Sequence, residues 1–446
     1  MAKEDTDVRK LDEAAVSPDV NFSLTMSIKG TSVTKHSIQT LVIREWIFDL
    51  LPRIEIEILD SGWFIDKFPF EDNDVIKVEL DHLSDGEGVV KTEFLLHDIE
   101  IINAGVGKAE QALVKITGIL KTDNFPFEIK NRAFSQKTSD EVFEELSNDI
   151  GFNSFTSRVT SKDKMSWIQS HQSDFDFSKH VLKRSFVNEN DTTFLYSDRD
   201  GNCVFTSLQT ELENENKPKI AMFNLEASLL NNINMQEDEY DEKVEDLKEQ
   251  EGSENLIFYR QWYFKNFQGT SNKENSYGRT FSFNNTEDYV NRTMKDDKHD
   301  LTVHSLKEKD KIGKFVKNDT FGILDILNTH PEYFLSMVQN EYLKENFFAN
   351  SVVLYTKPNE ELKLFDKINL IVPTYFKADS EIDIVHSGMY IVGGIIHEVQ
   401  KSSIYSTIVI LFRNGLNLSD TQLKDFESRH SSSDSSKKNE EKKTIL

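Results

Sequence analysis

Few residues in this chain are typed and spaced for chemistry. His171 and His180 stand nine apart beside Asp174 and Asp176, a loose arrangement for a divalent cation. The ordinary reading of that stretch is a helix start rich in carboxylates. His386 and His397 flank two strand-like runs and could meet across a hairpin; solvated or core histidines are the default. Cys203 is the single cysteine, so no intrachain disulfide forms and a zinc cluster lacks thiolates. It reads as a small buried hydrophobe in a strand rather than a nucleophile. Carboxylates are so abundant that choosing two as a glycosidase pair is arbitrary without a measured separation. No GxSxG elbow, P-loop, HExxH or dinucleotide fingerprint occurs. The sequence therefore assigns no catalytic, cofactor-binding or metal residues and no cofactor, and it reads as a non-enzyme.

Composition narrows the partners. The 446 residues carry a formal charge of −25. Duplex DNA is bound largely through Lys and Arg, and anionic lipid surfaces attract the same residues, so neither is an expected stable partner. Residues 1–18 are charged and lack the apolar stretch of a secretory signal. No apolar run is long enough to span a bilayer. The product is expected in the cytoplasm.

The elements show a change of period along the chain. Asn21 to Ile28 alternates polar and apolar, with Phe22, Leu24, Met26 and Ile28 on one face. Ile54 to Ile58 alternates likewise, as do Ile76, Val78 and Leu80, and Val114 with Ile116. The run Leu41 to Phe48 is long enough for a helix, but its β-branched residues and Pro52 favour a strand. Turns are expected at 60–62 and 85–88. Residues 19–132 thus read as one antiparallel barrel or sandwich after a flexible arm at 1–18.

Residues 133–210 read as a small α+β unit. Thr138 and Glu141 form a capping box, Val142, Phe143, Leu146 and Ile150 make an apolar stripe, and Gly151 follows as C-cap. A second helix starts at Ser173, and Asp200-Gly201 turns a hairpin between 193–197 and 203–206. Strands return at 351–355, 368–372, 389–392 and 407–412, with Gly388 and Gly393-Gly394 suggesting a bulge. Between them, 236–255 holds ten carboxylates against Lys243 and Lys248. Aromatic-rich strand fragments follow from 255, and a helix is expected from Pro331. After Asn417 the polar tail, 418–446, is expected to be disordered beyond a short helix at 420–427.

Three stretches resemble the hub protein of phage baseplates, a relative of the hub region of type VI secretion spike proteins. The first runs from Ile38 to Glu45 through Pro52 to Asp60, then Phe68-Pro-Phe70 and Asp74 to Val78. The second is Ser139 to Leu146, Trp167-Ile-Gln169, Ser173 to Leu182 and the Asp200-Gly201 hairpin. The third is Leu364 to Ile368 and Gly388 to Arg413. The resemblance implies a mainly β fold with α+β insertions. Two tail-tube-like antiparallel domains, 19–132 and 211–235 plus 350–417, would accompany the α+β unit, with an acidic, helical insertion at 236–349.

The same resemblance implies a homotrimer whose six similar domains form a ring. That ring would join a hexameric tail tube to a separate central spike in the virion baseplate, assembled in the host cytoplasm. Wedge and tape-measure proteins are further partners it implies; DNA would only pass through the lumen, and no membrane is involved. Two rivals remain at this level. One is the tail-tip protein of a flexible-tailed phage. The other is a cell-wall hydrolase with its acid and base among the carboxylates of 256–350.

Overall fold

A computed structural model of the chain describes residues 22–60, 71, 73–82, 89–103, 112–189, 191–214, 216, 218–223, 256–265, 278–285, 295–302, 330–347, 350–372, 386–401 and 404–413. The expected arm 1–18, the turns at 61–62 and 85–88, the acidic run 236–255 and the tail 418–446 lie outside them. The fold is mainly β with small helical parts. No helix among the described residues is long and apolar enough to cross a membrane.

The first β unit holds β1 (Phe22–Ile28), β2 (Thr31–Val33), β3 (Ile38–Trp46), β4 (Arg53–Asp60), β5 (Val75–His82), β6 (Val89–Asn103) and β7 (Ala112–Leu120). They lie in the order β3-β4-β7-β6-β5-β1-β2, every neighbour antiparallel. The alternation of β1 holds: Phe22, Leu24, Met26 and Ile28 are buried while Ser23 and Thr25 are exposed. The run from Leu41 is strand, not helix, because Leu41 and Ile43 point to this core with the period of two that β-branched residues favour.

The α+β unit follows: β8 (Ile129–Lys137), α1 (Ser139–Ile150), β9 (Ser154–Ser157), β10 (Met165–Ser173), α2 (Asp174–Arg184), β11 (Thr193–Ser197), β12 (Asn202–Ser207) and α3 (Leu208–Glu213). The amide of Thr138 donates to the Glu141 carboxylate at 2.9 Å, and Gly151 takes the left-handed conformation at φ 81°. The hydroxyl of Ser173 accepts from the Asp176 amide at 3.0 Å, capping α2. The hairpin β11–β12 forms with Gly201 at φ 78°. Beyond these expected features, β8 pairs with β10, and β9 lies parallel to β12.

The second β unit comprises β13 (Lys219–Phe223), β14 (Leu256–Lys265), β17 (Asn350–Thr356), β18 (Lys367–Ile371), β19 (Gly388–Gln400) and β20 (Ile404–Arg413). The order β18-β13-β14-β17-β20-β19 closes on itself through β18–β19 pairing, as in a barrel. Residues 256–265, placed by the sequence reading inside the 236–349 insertion, are thus a barrel strand. Between β14 and β17 lie the hairpin of β15 (Gly278–Asn285) with β16 (Lys295–Thr302) and the helix α4 (Tyr333–Phe347). The helix expected from Pro331 begins at Tyr333.

This α4 completes the end of α2, whose last carbonyls have no partner within their own helix. Ser336 donates to the Arg184 carbonyl at 2.9 Å, and Asn340 donates to that of Ser185 at 2.8 Å.

The two β units meet where β3 pairs antiparallel with β19. The hairpin β19–β20 serves both: Ile395 and Val409 lie in the second core, Val399 and Tyr405 in the first.

Candidate functional site

The residues typed for chemistry do not converge. His171 is exposed, while His180 is half-buried and stacks on Phe177, its pKa pulled down to about 4 by burial. Asp174 is instead paired with Lys130 at 2.7 Å and with Arg132 at 2.6 Å. His386 precedes β19 and His397 lies near its far end, so the two do not meet across a hairpin. Cys203 is buried on β12, and burial pushes its thiol up to about 12, far from thiolate reactivity at neutral pH. No group of metal-holding side chains occurs among the described residues.

What does converge is a repeat within the chain. In sequence order β3, β4, β5, β6 and β7 correspond to β14, β17, β18, β19 and β20. The neighbours agree: β3-β4-β7-β6-β5 in one unit and β14-β17-β20-β19-β18 in the other, all antiparallel. β1 and β13 fill the same sixth slot with opposite direction, since β1 runs antiparallel to β5 and β13 parallel to β18.

The equivalence reaches single residues. Asn73 at φ 69° and Phe365 at φ 66° take left-handed conformations, each just before an aspartate. The Asp74 carboxylate accepts from the Glu71 amide at 2.7 Å; the Asp366 carboxylate accepts from the Lys363 amide at 3.0 Å. The carbonyl of Asp74 accepts from the Leu96 amide at 2.8 Å; that of Asp366 accepts from the Val392 amide at 2.9 Å. A bulge follows each time, at His97 in β6 and Gly393 in β19. A further shared bulge sits between Ile38 and Thr40 in β3 and between Phe258 and Arg260 in β14.

At the joint of the units a polar cluster is buried. Arg199, from the β11–β12 turn, donates from its amide to Glu45 at 3.0 Å and from its guanidinium to the same carboxylate at 3.3 Å. The guanidinium also reaches His397 Nε2 at 2.6 Å and the carbonyl of Glu360. A guanidinium has no acceptor, so Nε2 accepts and the proton of the neutral ring sits on Nδ1, facing the Tyr405 hydroxyl at 3.0 Å. Burial, with Arg199 adding repulsion, holds His397 well below its usual range. Burial pushes the Glu45 carboxyl up to about 7, and Arg199 opposes the rise. The carbonyl of Arg199 accepts from Thr92 at 3.3 Å, and Ser197 donates to the Leu50 carbonyl at 2.6 Å. One hairpin thus fastens both β units to the α+β unit. This arrangement holds parts in register; it offers no reacting group an open site.

The sequence reading missed Arg199 and Glu45, and it expected two like β domains only through the resemblance, without the residues that mark the repeat. A signal was present: Asp74-Val-Ile-Lys-Val78 and Asp366-Lys-Ile-Asn-Leu370 share an aspartate, an isoleucine two on and an aliphatic residue four on. Arg199 carries no such mark, since its partners lie 154 and 198 residues away in sequence.

No family model and no curated protein matches the chain. Solved structures do. The 43 kDa tail protein of prophage MuSo2 from Shewanella oneidensis is 9% identical, covers 88% of this chain and 97% of its own, with a TM-score of 0.51. The tail protein from Neisseria meningitidis MC58 is 8% identical over 89% and 98%, with a TM-score of 0.49. A type VI secretion component from E. coli is 7% identical over 90% and 77%, with a TM-score of 0.43. The likeness to the Shewanella protein shows the fold, and this chain has the fold of a phage tail protein.

Proposed function

We propose that the chain is a structural baseplate hub, a trimeric adaptor joining a hexameric tail tube to a separate central spike. The observation that carries this reading is the internal repeat. Two similarly wound β units on one polypeptide let three chains present six similar surfaces, the number a six-membered tube requires. The buried Arg199 cluster supports it, because it fixes the angle between the units without leaving a catalytic opening.

The acidic charge bears on DNA passage through such a ring. The outer face of the first sheet carries paired charges: Lys77 with Glu93 at 2.5 Å, Lys91 with Glu79 at 3.6 Å, Lys115 with Glu57 at 3.3 Å and Arg44 with Glu55 at 3.6 Å. That face is close to neutral, so carboxylates that repel DNA would come from other surfaces of the ring.

Sedimentation velocity of the pure protein tests the trimer. The expected species has three times the 51.6 kDa of one chain. Electron microscopy should then show a ring with six lobes; a ring of three unlike lobes, or a monomer even with its tail neighbours added, would reject the reading.

A further inference from the structure

The pairing of β3 with β19 inside one chain contains a template for pairing between chains. Before its bulge, β19 pairs with β18 through residues 388–391; after it, residues 394–400 pair with β3. β6 is built alike up to that point. Residues 89–95 pair with β5 before the bulge at His97. Beyond the bulge, no described strand pairs with that edge of β6. On the other unit, β14 is the counterpart of β3. It pairs with β13 only through residues 256–258, and no described strand covers that edge from 259 to 265.

We propose that this edge of β6, residues 98–103, pairs antiparallel with the edge of β14, residues 261–265, of a second copy of this chain. The inference rests on the trimeric ring reading and names its interface. The repeat fixes the register. His397 pairs with Ile43, Glu398 with Val42 and Ile395 with Glu45. Their counterparts place Ile101 opposite Tyr263, Ile102 opposite Trp262 and Ile99 opposite Lys265.

Two observations converge on this joint. First, equivalent positions differ in burial: His397 is 0% exposed within the intrachain pairing, whereas Ile101 is 53% exposed and its neighbour Ile102 37%. Two large aliphatic residues on an edge that no described strand covers invite β-addition. Second, the registered partners are aromatic, and aromatic–aliphatic cross-strand pairs stabilise sheets. The interface is heterologous, so it propagates around a ring and closes when the rotation per unit allows. Intrachain and interchain joints then alternate.

Cysteine pairs test the register in the full chain, where native Cys203 is buried. Under mild oxidation, Ile101→Cys combined with Tyr263→Cys should give covalent trimers on a non-reducing gel. The displaced pair Ile101→Cys with Lys265→Cys should cross-link at least tenfold less. In β19 the Gly393 carbonyl accepts from Ile47 across the joint, while the Lys401 amide donates back across it to Gln39. The same alternation turns the Ile101 amide to that edge. Ile101→Pro, which removes it, should therefore yield a monomer whose circular dichroism spectrum matches that of the native chain. A protein that sediments as a trimer but resists cross-linking, or whose Ile101→Pro variant stays trimeric, overturns this interface and leaves the ring reading standing. A protein that is monomeric at every concentration and never cross-links overturns both.

Discussion

Arg199 Nη1 lies 2.6 Å from His397 Nε2, and that contact joins a turn of the α+β unit to the strand shared by the two β cores. The side chains of Arg199 and Glu45 are 12% and 5% exposed, so the pair is largely desolvated. Removing one partner leaves the other buried and uncompensated. Arg199→Ala should therefore cost about 3 kcal/mol in urea unfolding. The double variant with Glu45→Gln should recover part of it, since the stranded carboxylate is gone. A loss below about 0.5 kcal/mol, the range of an exposed pair, would contradict the buried cluster.

The same carboxyl makes a pH prediction. Its pKa is raised from 4.5 to about 7 in the folded chain. Between those values the folded state keeps a proton that the unfolded state has lost, so stability falls as pH rises through this window. Glu45→Gln removes the titration. The stability of the native protein relative to that variant should drop by up to about 3 kcal/mol between pH 4.5 and 7. Paired denaturation curves at several pH values read the difference directly, and a flat difference would be the contrary result.

Gly394 sits under an indole. A Cβ there would overlap the ring of Trp46, its partner across the joint. Gly394→Ala should cost about 1–3 kcal/mol through overpacking, and Trp46→Leu in the same chain should relieve most of it. Thermal unfolding of the two single variants and the double gives the coupling.

The repeated aspartate turn predicts matching behaviour at distant sites. Asp74→Ala and Asp366→Ala each free one backbone amide at the start of a strand, and each should cost about 1–2 kcal/mol. The two turns lie in separate β units, so the losses should add. A large loss at one and none at the other would show the turns to be unlike in use.

Legibility followed range. Capping at Thr138 and Ser173, the Gly201 hairpin and the alternation of β1 depend on neighbours a few residues apart, and the sequence showed all of them. The Gly393-Gly394 bulge was legible for the same reason. The strand β10 was not, because Ser166, Gln169 and Ser170 give weak β preference and its partner β8 supplies the order. β14 was recognised as strand-like but assigned to an insertion, since only its pairing with β13 and β17 reveals the barrel. The Arg199 cluster is contact across the whole chain and leaves no local trace.

Because Val399 and Tyr405 lie in the first core, the first β unit waits during synthesis for β19 and β20, the last described strands, before it is sealed. The ring of Phe22, the first described residue, packs on Tyr405 at 5.5 Å, so the first described strand is locked by the last. A nascent chain cut short before β20 would leave both β units unsealed rather than one, so neither could present a finished surface to a neighbour.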